Sequence, residues 1–509
     1  MFKNNSKFYI TTPIYYANAE PHIGSAYTTV AADCLARFNR LIGKEVFFLT
    51  GTDEHGIKIE AKAKEFNKKP QEFVDEIAAK FQFAWDELNI SYNNFIRTTN
   101  PKHIKTVQAA LVKMRSKGDI YKGEYKGLYC RGCEQFKNEK DLVDGLCPDH
   151  KVAPEFTSEE SYIFRASRYA KIILEKIKKD ELKIRPQERR NEIISFYEKE
   201  GLIDVSFSRK KVKWGIALPW DESHTTYVWA DAFLNYLTGL GWQGPEDKMP
   251  YFWPPTLQLM SKDILRVHAT IWPAMLLSLD LPLPKELFIH GFFLVDGQKM
   301  SKSLGNVILP FDLIKRYGVD ASRYLLMGAA VFGRDGDVSW KKLDEKYNAY
   351  LANGLGNLVA RSTALTQKML KQNLNLNKDA ELKESFLEAW TFYINSLENL
   401  KIDVAISIIN QQISILDNYI AKHKPWELVK IADEKVGKIM YNVLESLRHL
   451  SFMVWPFMPE TTNKILHILG LDCQKECSLN FNKLKEWGRL NENTKINKEG
   501  PLFPRIEEK

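Results

Sequence analysis

The start of the chain admits few folds. Lys7 to Thr12 reads as a buried strand, and Ile23 to Phe38 as a helix with small Ala26, Ala31 and Ala32 on it. Glu45 to Thr50 is a second short apolar run between the turn signals Gly43 and Gly51. Strand, helix and strand at this spacing make a βαβ unit, hence a parallel sheet with helices on its faces. Such sheets bind nucleotides where a strand turns into a helix at their C-terminal edge. At that turn the chain has His22-Ile23-Gly24-Ser25. Free N–H groups at a helix start favour phosphate. Gly24 lacks a Cβ and lets a flat base approach the backbone. His22 can donate to a phosphate oxygen as charge builds on it.

Far downstream stands Lys299-Met300-Ser301-Lys302-Ser303-Leu304-Gly305-Asn306. Phosphoryl and nucleotidyl transfer depend on electrostatic stabilisation of the reacting phosphorus centre. Lys299 and Lys302, three apart on a loop, can grip an outgoing pyrophosphate, and Ser301 and Ser303 add hydroxyl donors. The two segments together read as the halves of an ATP site that activates a carboxylate by adenylation.

A chain of 509 residues is too long for one core and suggests three or four domains. The net charge, 72 − 64 = +8, is mild; it permits an anionic partner such as RNA without requiring one. No apolar run reaches the ~18 residues of a membrane span. Met1 to Ser6 is polar, without a signal-peptide core, so a soluble cytoplasmic protein is expected. The six cysteines do not suggest a disulfide scaffold. Cys130-x2-Cys133 and Cys147-x2-His150 form two close pairs 13 residues apart, which can meet at the corners of a tetrahedron. Four protein ligands leave no open position, so a zinc there would be structural. Cys34 is expected buried on the first helix. Cys473-x3-Cys477 lacks partner ligands and reads as incidental.

From about Gly118 to Asp149 the texture changes to that of a small insertion. Apolar α/β texture returns at Thr226 and runs through Ile289-His290-Gly291-Phe292-Phe293-Leu294. After Tyr347 strand signals fade. Ile402, Ala405, Ile409, Ile413, Leu416 and Ile420 recur at spacings of three and four, as do Val443, Leu447, Leu450 and Val454. These are amphipathic helices of a bundle, and their role is core packing.

The pair of motifs resembles the signatures of class I aminoacyl-tRNA synthetases, and the rest of the chain narrows this to the methionyl-tRNA synthetases with a single metal knuckle. The first motif departs from the family pattern, which has a second His where this chain has Ser25. The resemblance implies an α/β Rossmann-like catalytic domain (1–117 and 226–295) with a zinc-knuckle insertion (118–225). A loop and stem-contact region (296–346) and an all-α anticodon-binding bundle (347–509) would follow. It implies ATP with Mg²⁺, L-methionine and tRNA(Met) as substrates and one structural zinc. Thr11 to Asn18 looks like the segment before the His-x-Gly motif, which puts Ile14 and Tyr16 in the amino-acid pocket. Asp53, in Gly51-Thr52-Asp53-Glu54-His55-Gly56, falls where the family's carboxylate holds the α-ammonium. Trp229, Ala232, Tyr236, Ile264, His268 and Trp272 would complete a pocket for a soft thioether. Phe233 and Val267 look like local variations. Asn353, Asn357 and Arg361 lie at i, i+4 and i+8 on one helix face. With Trp426 after Pro425, they would read the CAU anticodon, the Trp stacking on the wobble cytosine.

Two alternatives stand beside this reading. Synthetases for Ile, Val and Leu usually carry a large editing insertion, and this insertion is too short for one; the cysteine enzyme would place its zinc beside the amino-acid pocket. A non-catalytic tRNA-binding homologue is favoured by Ser25 alone. The chain stops soon after the bundle, and a monomer is expected.

Overall fold

The protein is described from a computed structural model, covering residues 6–130, 135–137, 139, 142–148, 151–295, 297–300, 306–369, 374–492 and 494–506, the side chains of 125, 126, 135–137 and 299 excepted. The expected βαβ unit is present: β1 (Lys7–Tyr16), α1 (Ile23–Leu41) and β2 (Glu45–Asp53). With β3 (Asn94–Arg97), β4 (Lys183–Arg185), β5 (Leu257–Ser261) and β6 (Glu286–His290) they form one parallel sheet in the order β3-β2-β1-β5-β6-β4. Strand order reverses between β1 and β5, which makes this edge a topological switch point. β1 slips register between Thr11 and Ile14, around Pro13, which has no N–H to give the ladder.

One domain boundary shifts. β4 lies inside the stretch expected to be insertion, yet it pairs with Glu286 to Phe288 and extends the parallel sheet. Three residues are too few to show a strand pattern in sequence. The insertion has its own antiparallel sheet, in which Ile120–Cys130 pairs along its length with Glu155–Phe164.

The C-terminal part is helical: α2 (Val319–Gly328), α3 (Asn357–Lys368), α4 (Ala380–Glu398), α5 (Ile402–His423), α6 (Lys435–Val454) and α7 (Pro459–Ile468) are its main helices. The apolar series on α5 and α6 is buried throughout. One side chain bolts this part to the sheet domain. Arg323 on α2 is fully buried and donates to Asp33 Oδ2 of α1 (2.6 Å), to the Leu88 carbonyl (3.0 Å) and to the carbonyls of Pro456 (3.0 Å) and Phe457 (2.9 Å). Burial works to raise the Asp33 carboxyl, but Arg323 and Arg37 outweigh it and hold its pKa at about 2. A buried charge is tolerated only when fully partnered like this. The consequence is a fixed α1, whose first turn forms the site.

Candidate active site

A cleft of about 2070 Å³ opens over the switch point. The last residues of four strands, Tyr16, Asp53, Ser261 and His290, all line it. Ile14, His22, Gly24, Ser25, Trp229 and Ile264 line it too. Tyr236, His268 and Trp272 do not reach the cleft surface; they are buried behind it, and Ala232 is half-buried among them. Lys58, Lys62, Arg209, Lys262 and Arg266 line it among acidic residues that include Glu20, Glu76 and Asp263.

His22 is the N-cap of α1, in extended conformation (φ −126°, ψ 173°). Its Nδ1 accepts the Gly24 N–H at 3.0 Å. An accepting Nδ1 places the ring proton on Nε2, so the imidazole is fixed as a donor. Gly24 has a reason to be glycine that differs from the one expected: a Cβ there would meet His22 Cε1 at 2.9 Å and push the ring away. Ser25 also differs from expectation. It is buried, its Oγ accepts the His22 N–H (3.0 Å), and its proton goes to the His22 carbonyl (2.7 Å). The hydroxyl therefore completes a capping box rather than pointing a donor at phosphate. The Ile23 N–H donates to the Ile308 carbonyl (3.0 Å), which ties the chain leaving the lysine-rich loop to this helix start.

The wall behind the cleft is built differently. The His268 Nδ1–H donates to the Ile264 carbonyl (2.9 Å), so Nε2 accepts the Tyr236 hydroxyl proton (2.8 Å). Burial pushes the His268 pKa down to about 4, and the ring is neutral. Phe233, set aside as a variation in the sequence reading, stacks on Trp272 (5.5 Å, 13°) and meets His268 edge-on at 5.0 Å. Trp272 Nε1 donates to Gln258 Oε1 (3.0 Å). Every polar atom named in this wall is paired within the protein.

Behind Trp229, buried Asp231 takes hydrogen bonds from His55 Nδ1 (2.7 Å) and His103 Nε2 (2.8 Å). Burial works to raise its carboxyl, and the two histidines outweigh that and hold it below the usual range. His55 lies two residues past Asp53, so this bond ties the Trp229 segment to the end of β2. A second missed residue is His290, hidden in sequence by its apolar run. It ends β6, accepts the Thr28 hydroxyl at Nε2 (2.7 Å), and burial pushes its pKa down to about 4. Gly291 beside it has no room for a Cβ, which would lie 2.2 Å from the Arg334 carbonyl carbon.

Lys299 pairs with Leu294 through its backbone, and Met300 lines the cleft. The Lys299 side chain and Ser301, Lys302 and Ser303 lie outside the described residues. So do Cys133 and His150 of the knuckle. Among the described residues no set of three or more metal-ligating side chains is assembled. The two remaining candidates, Cys130 and Cys147, are buried. Cys147 follows a tight turn in which Val143 and Leu146 exchange two 2.9 Å backbone bonds across Asp144 (φ 53°) and Gly145 (φ 75°). A buried thiol at the root of a reversing turn suits one corner of a structural zinc site.

In the helical part, Asn353 and Asn357 are exposed, and Arg361 lies over the half-buried Trp426 ring, 4.9 Å from its centre. The expected regular α-helical face is modified: Tyr347–Gly356 is π-helical and α3 begins only at Asn357. The wider turn changes the angle between Asn353 and the residues below it. Arg505 donates to Asn353 Oδ1 (2.8 Å).

Comparison with known proteins agrees with this geometry. The sequence model of the family described as tRNA synthetases class I (M) matches residues 8–154 and 150–363. The methionine–tRNA ligase of Thermotoga maritima is 42% identical over 513 residues, covering 99% of this chain and 81% of that protein. The Clostridium acetobutylicum methionine–tRNA ligase is 43% identical over 98% of this chain and 78% of its own length. The structure of Mycobacterium tuberculosis methionyl-tRNA synthetase in complex with methionyl-adenylate superposes with a TM-score of 0.92 at 35% identity, covering 98% of this chain and all of that one. The chain belongs to the methionyl-tRNA synthetase family of class I aminoacyl-tRNA synthetases.

Proposed function

We propose that the chain is a methionine–tRNA ligase that forms methionyl-adenylate from ATP and L-methionine and passes the methionyl group to tRNA(Met). The observation that carries this reading is a cleft at the switch point with a donor-fixed His22 at one end and a neutral aromatic wall at the other. The methionine carboxylate attacks the α-phosphorus, and pyrophosphate leaves in line. Charge builds on the phosphate oxygens, where His22 Nε2–H and the first-turn N–H groups of α1 stand ready. Lys302, assisted by Lys299, takes the departing pyrophosphate, with Ser301 and Ser303 as further donors. Mg²⁺ arrives with the ATP as part of the substrate. Asp53 anchors the α-ammonium. Ile14, Tyr16, Trp229 and Ile264 receive the side chain, backed by Ala232, Phe233, Tyr236, His268 and Trp272. Ser25 serves the cap.

Cys130, Cys133, Cys147 and His150 hold a zinc that constrains the insertion and takes no part in the reaction. Asn353, Asn357, Arg361 and Trp426 bind anticodon bases, the Arg361–Trp426 stack presenting an aromatic face. A non-catalytic homologue, once suggested by Ser25, loses its support, since that residue has a structural task. ATP–pyrophosphate exchange with each of the twenty amino acids tests the reading. Exchange with methionine above all others is expected; preference for another amino acid, or no exchange at all, overturns it.

A further inference from the structure

The cleft chemistry leaves one pair of side chains unused. Cys473 and Cys477 bound a one-turn helix, Cys473–Cys477, and neither lines the cleft. Their spacing reads as incidental in sequence because no further metal ligand accompanies it. In the structure the two sulfurs stand 3.4 Å apart. We infer that Cys473 and Cys477 form a reversible disulfide site, closed by exchange with a low-molecular-weight disulfide of the glutathione class.

Three observations carry this. First, the spacing is right. Residues i and i+4 of a helix lie on one face, about 6 Å apart along the axis, within the roughly 4.4–6.8 Å between Cα atoms that a disulfide accepts. The Cβ atoms of such a pair, about 5–6 Å apart, must close to roughly 3.5–4.5 Å, so the turn tightens as the bond forms and the bridge is strained. Second, the two thiols differ in a useful way. Cys477 is exposed, whereas Cys473 is half-buried against the hydrophobic core of the bundle. An incoming reagent meets Cys477, and Cys473 waits behind it. Third, Cys473 is oriented. Its Sγ lies against Asn463 Oδ1 on α7. Asp472 caps the helix by accepting from the Gln474 N–H (2.9 Å) and the Lys475 N–H (3.3 Å), which holds the turn in place.

The chemistry balances. Burial and the neighbouring Cys473 push the Cys477 thiol up to about 12, so attack runs through a small ionised fraction: Cys477, as thiolate, attacks one sulfur of the small disulfide, whose S–S bond breaks and releases one small thiol carrying the proton Cys477 lost. Cys473 then attacks the Cys477 sulfur of the mixed disulfide and releases the second small thiol. Two protein thiols are oxidised to one disulfide, and one external disulfide is reduced to two thiols. An exposed bridge across a single helical turn belongs to the labile class that small thiols reopen.

The test incubates the full chain with glutathione disulfide, quenches by alkylation, and reads intact mass and the peptide that carries residues 473 and 477. A bridge between Cys473 and Cys477, seen as loss of two hydrogens and restored by reduced glutathione, is expected. The Cys473→Ser variant should instead keep a stable glutathione adduct on Cys477, since the resolving thiol is gone. A lasting adduct on Cys477 in the unaltered chain would overturn the inference, as would both thiols remaining alkylatable throughout. Mapping to this peptide separates the result from any reaction at Cys34 or at the knuckle cysteines.

Discussion

At one end of the cleft His22 stands exposed at a helix start, its ring oriented by a backbone N–H. At the other end Tyr236, His268 and Trp272 form a buried wall whose imidazole is neutral and whose polar atoms are paired within the protein. On the proposed reading, the difference follows from what each end must do. Phosphate chemistry develops charge, so donors must be aimed before the charge appears. A thioether offers almost nothing to bond, so selection rests on shape, and an unpaired polar atom in that wall would only cost stability. The phosphate end can therefore depend on a charged residue such as lysine, while the amino-acid end depends on a set of neighbours that bond and pack together.

Removing a charge from the first end should give the largest effect and leave the second untouched. Lys302→Ala is expected to lower methionine-dependent pyrophosphate exchange by roughly 10²–10³-fold, the scale of a lost transition-state donor. Methionine affinity, read by equilibrium binding without ATP, should stay the same. If affinity fell in step with rate, the two ends would not be separable.

Asp231→Asn probes the opposite end from behind. An amide can accept from one of His55 and His103 but must face the N–H of the other with a donor of its own. A buried hydrogen bond is lost, at about 1–3 kcal/mol, and the Trp229 segment loosens from the end of β2. The KM for methionine should rise by about 5- to 150-fold with the KM for ATP unchanged. A parallel rise in both would make Asp231 a general folding residue.

Acid should weaken the neutral wall through His268, whose folded pKa is about 4. An unfolded chain binds that proton with a pKa of about 6.5. Between these values the unfolded state takes up a proton that the folded state refuses. The contribution is complete above about pH 6.5 and is lost as pH falls toward about 4. His290 and His449 are also pushed down to about 4 and add to the same slope. His268→Gln should make the unfolding free energy less steep in pH by up to about 1.4 kcal/mol per pH unit, measured by denaturant titration across that window. An identical slope in both proteins would mean that the wall accepts a proton while folded.

How far these ends were visible in the sequence depended on how local their physics is. β1, α1 and β2 announced themselves because burial on both faces of a parallel sheet demands continuous apolar runs. β4 did not, because three residues in an insertion carry no period. Asp53, Trp229 and Ile264 were legible only through resemblance, and the structure brings them to one cleft. Phe233 and His290 were missed because an aromatic or a histidine inside an apolar run looks the same whether it fills a core or backs a site. Arg361 and Trp426 meet across 65 positions of sequence, a contact that only the folded bundle makes. The π-helical stretch before α3 was invisible because its residues would serve an α-helix equally well.

Ser25 is the sharpest case, since its identity was plain and its task was not. Serine at the third helical position can point outward to a phosphate or back to the cap, and only the hydroxyl's orientation decides. Here it bonds both the N–H and the carbonyl of His22. Ser25→Ala separates the two tasks. A phosphate donor would be missed at about 2.7–4 kcal/mol, or roughly 10²–10³-fold in exchange. A capping contact would be missed at about 0.5–2 kcal/mol of stability, seen as a lower unfolding temperature. The expected result is the second, with exchange reduced by less than about tenfold, because Gly24 N–H still holds the His22 ring when the serine is gone. A hundredfold loss of exchange at unchanged stability would return Ser25 to the phosphate end of the cleft.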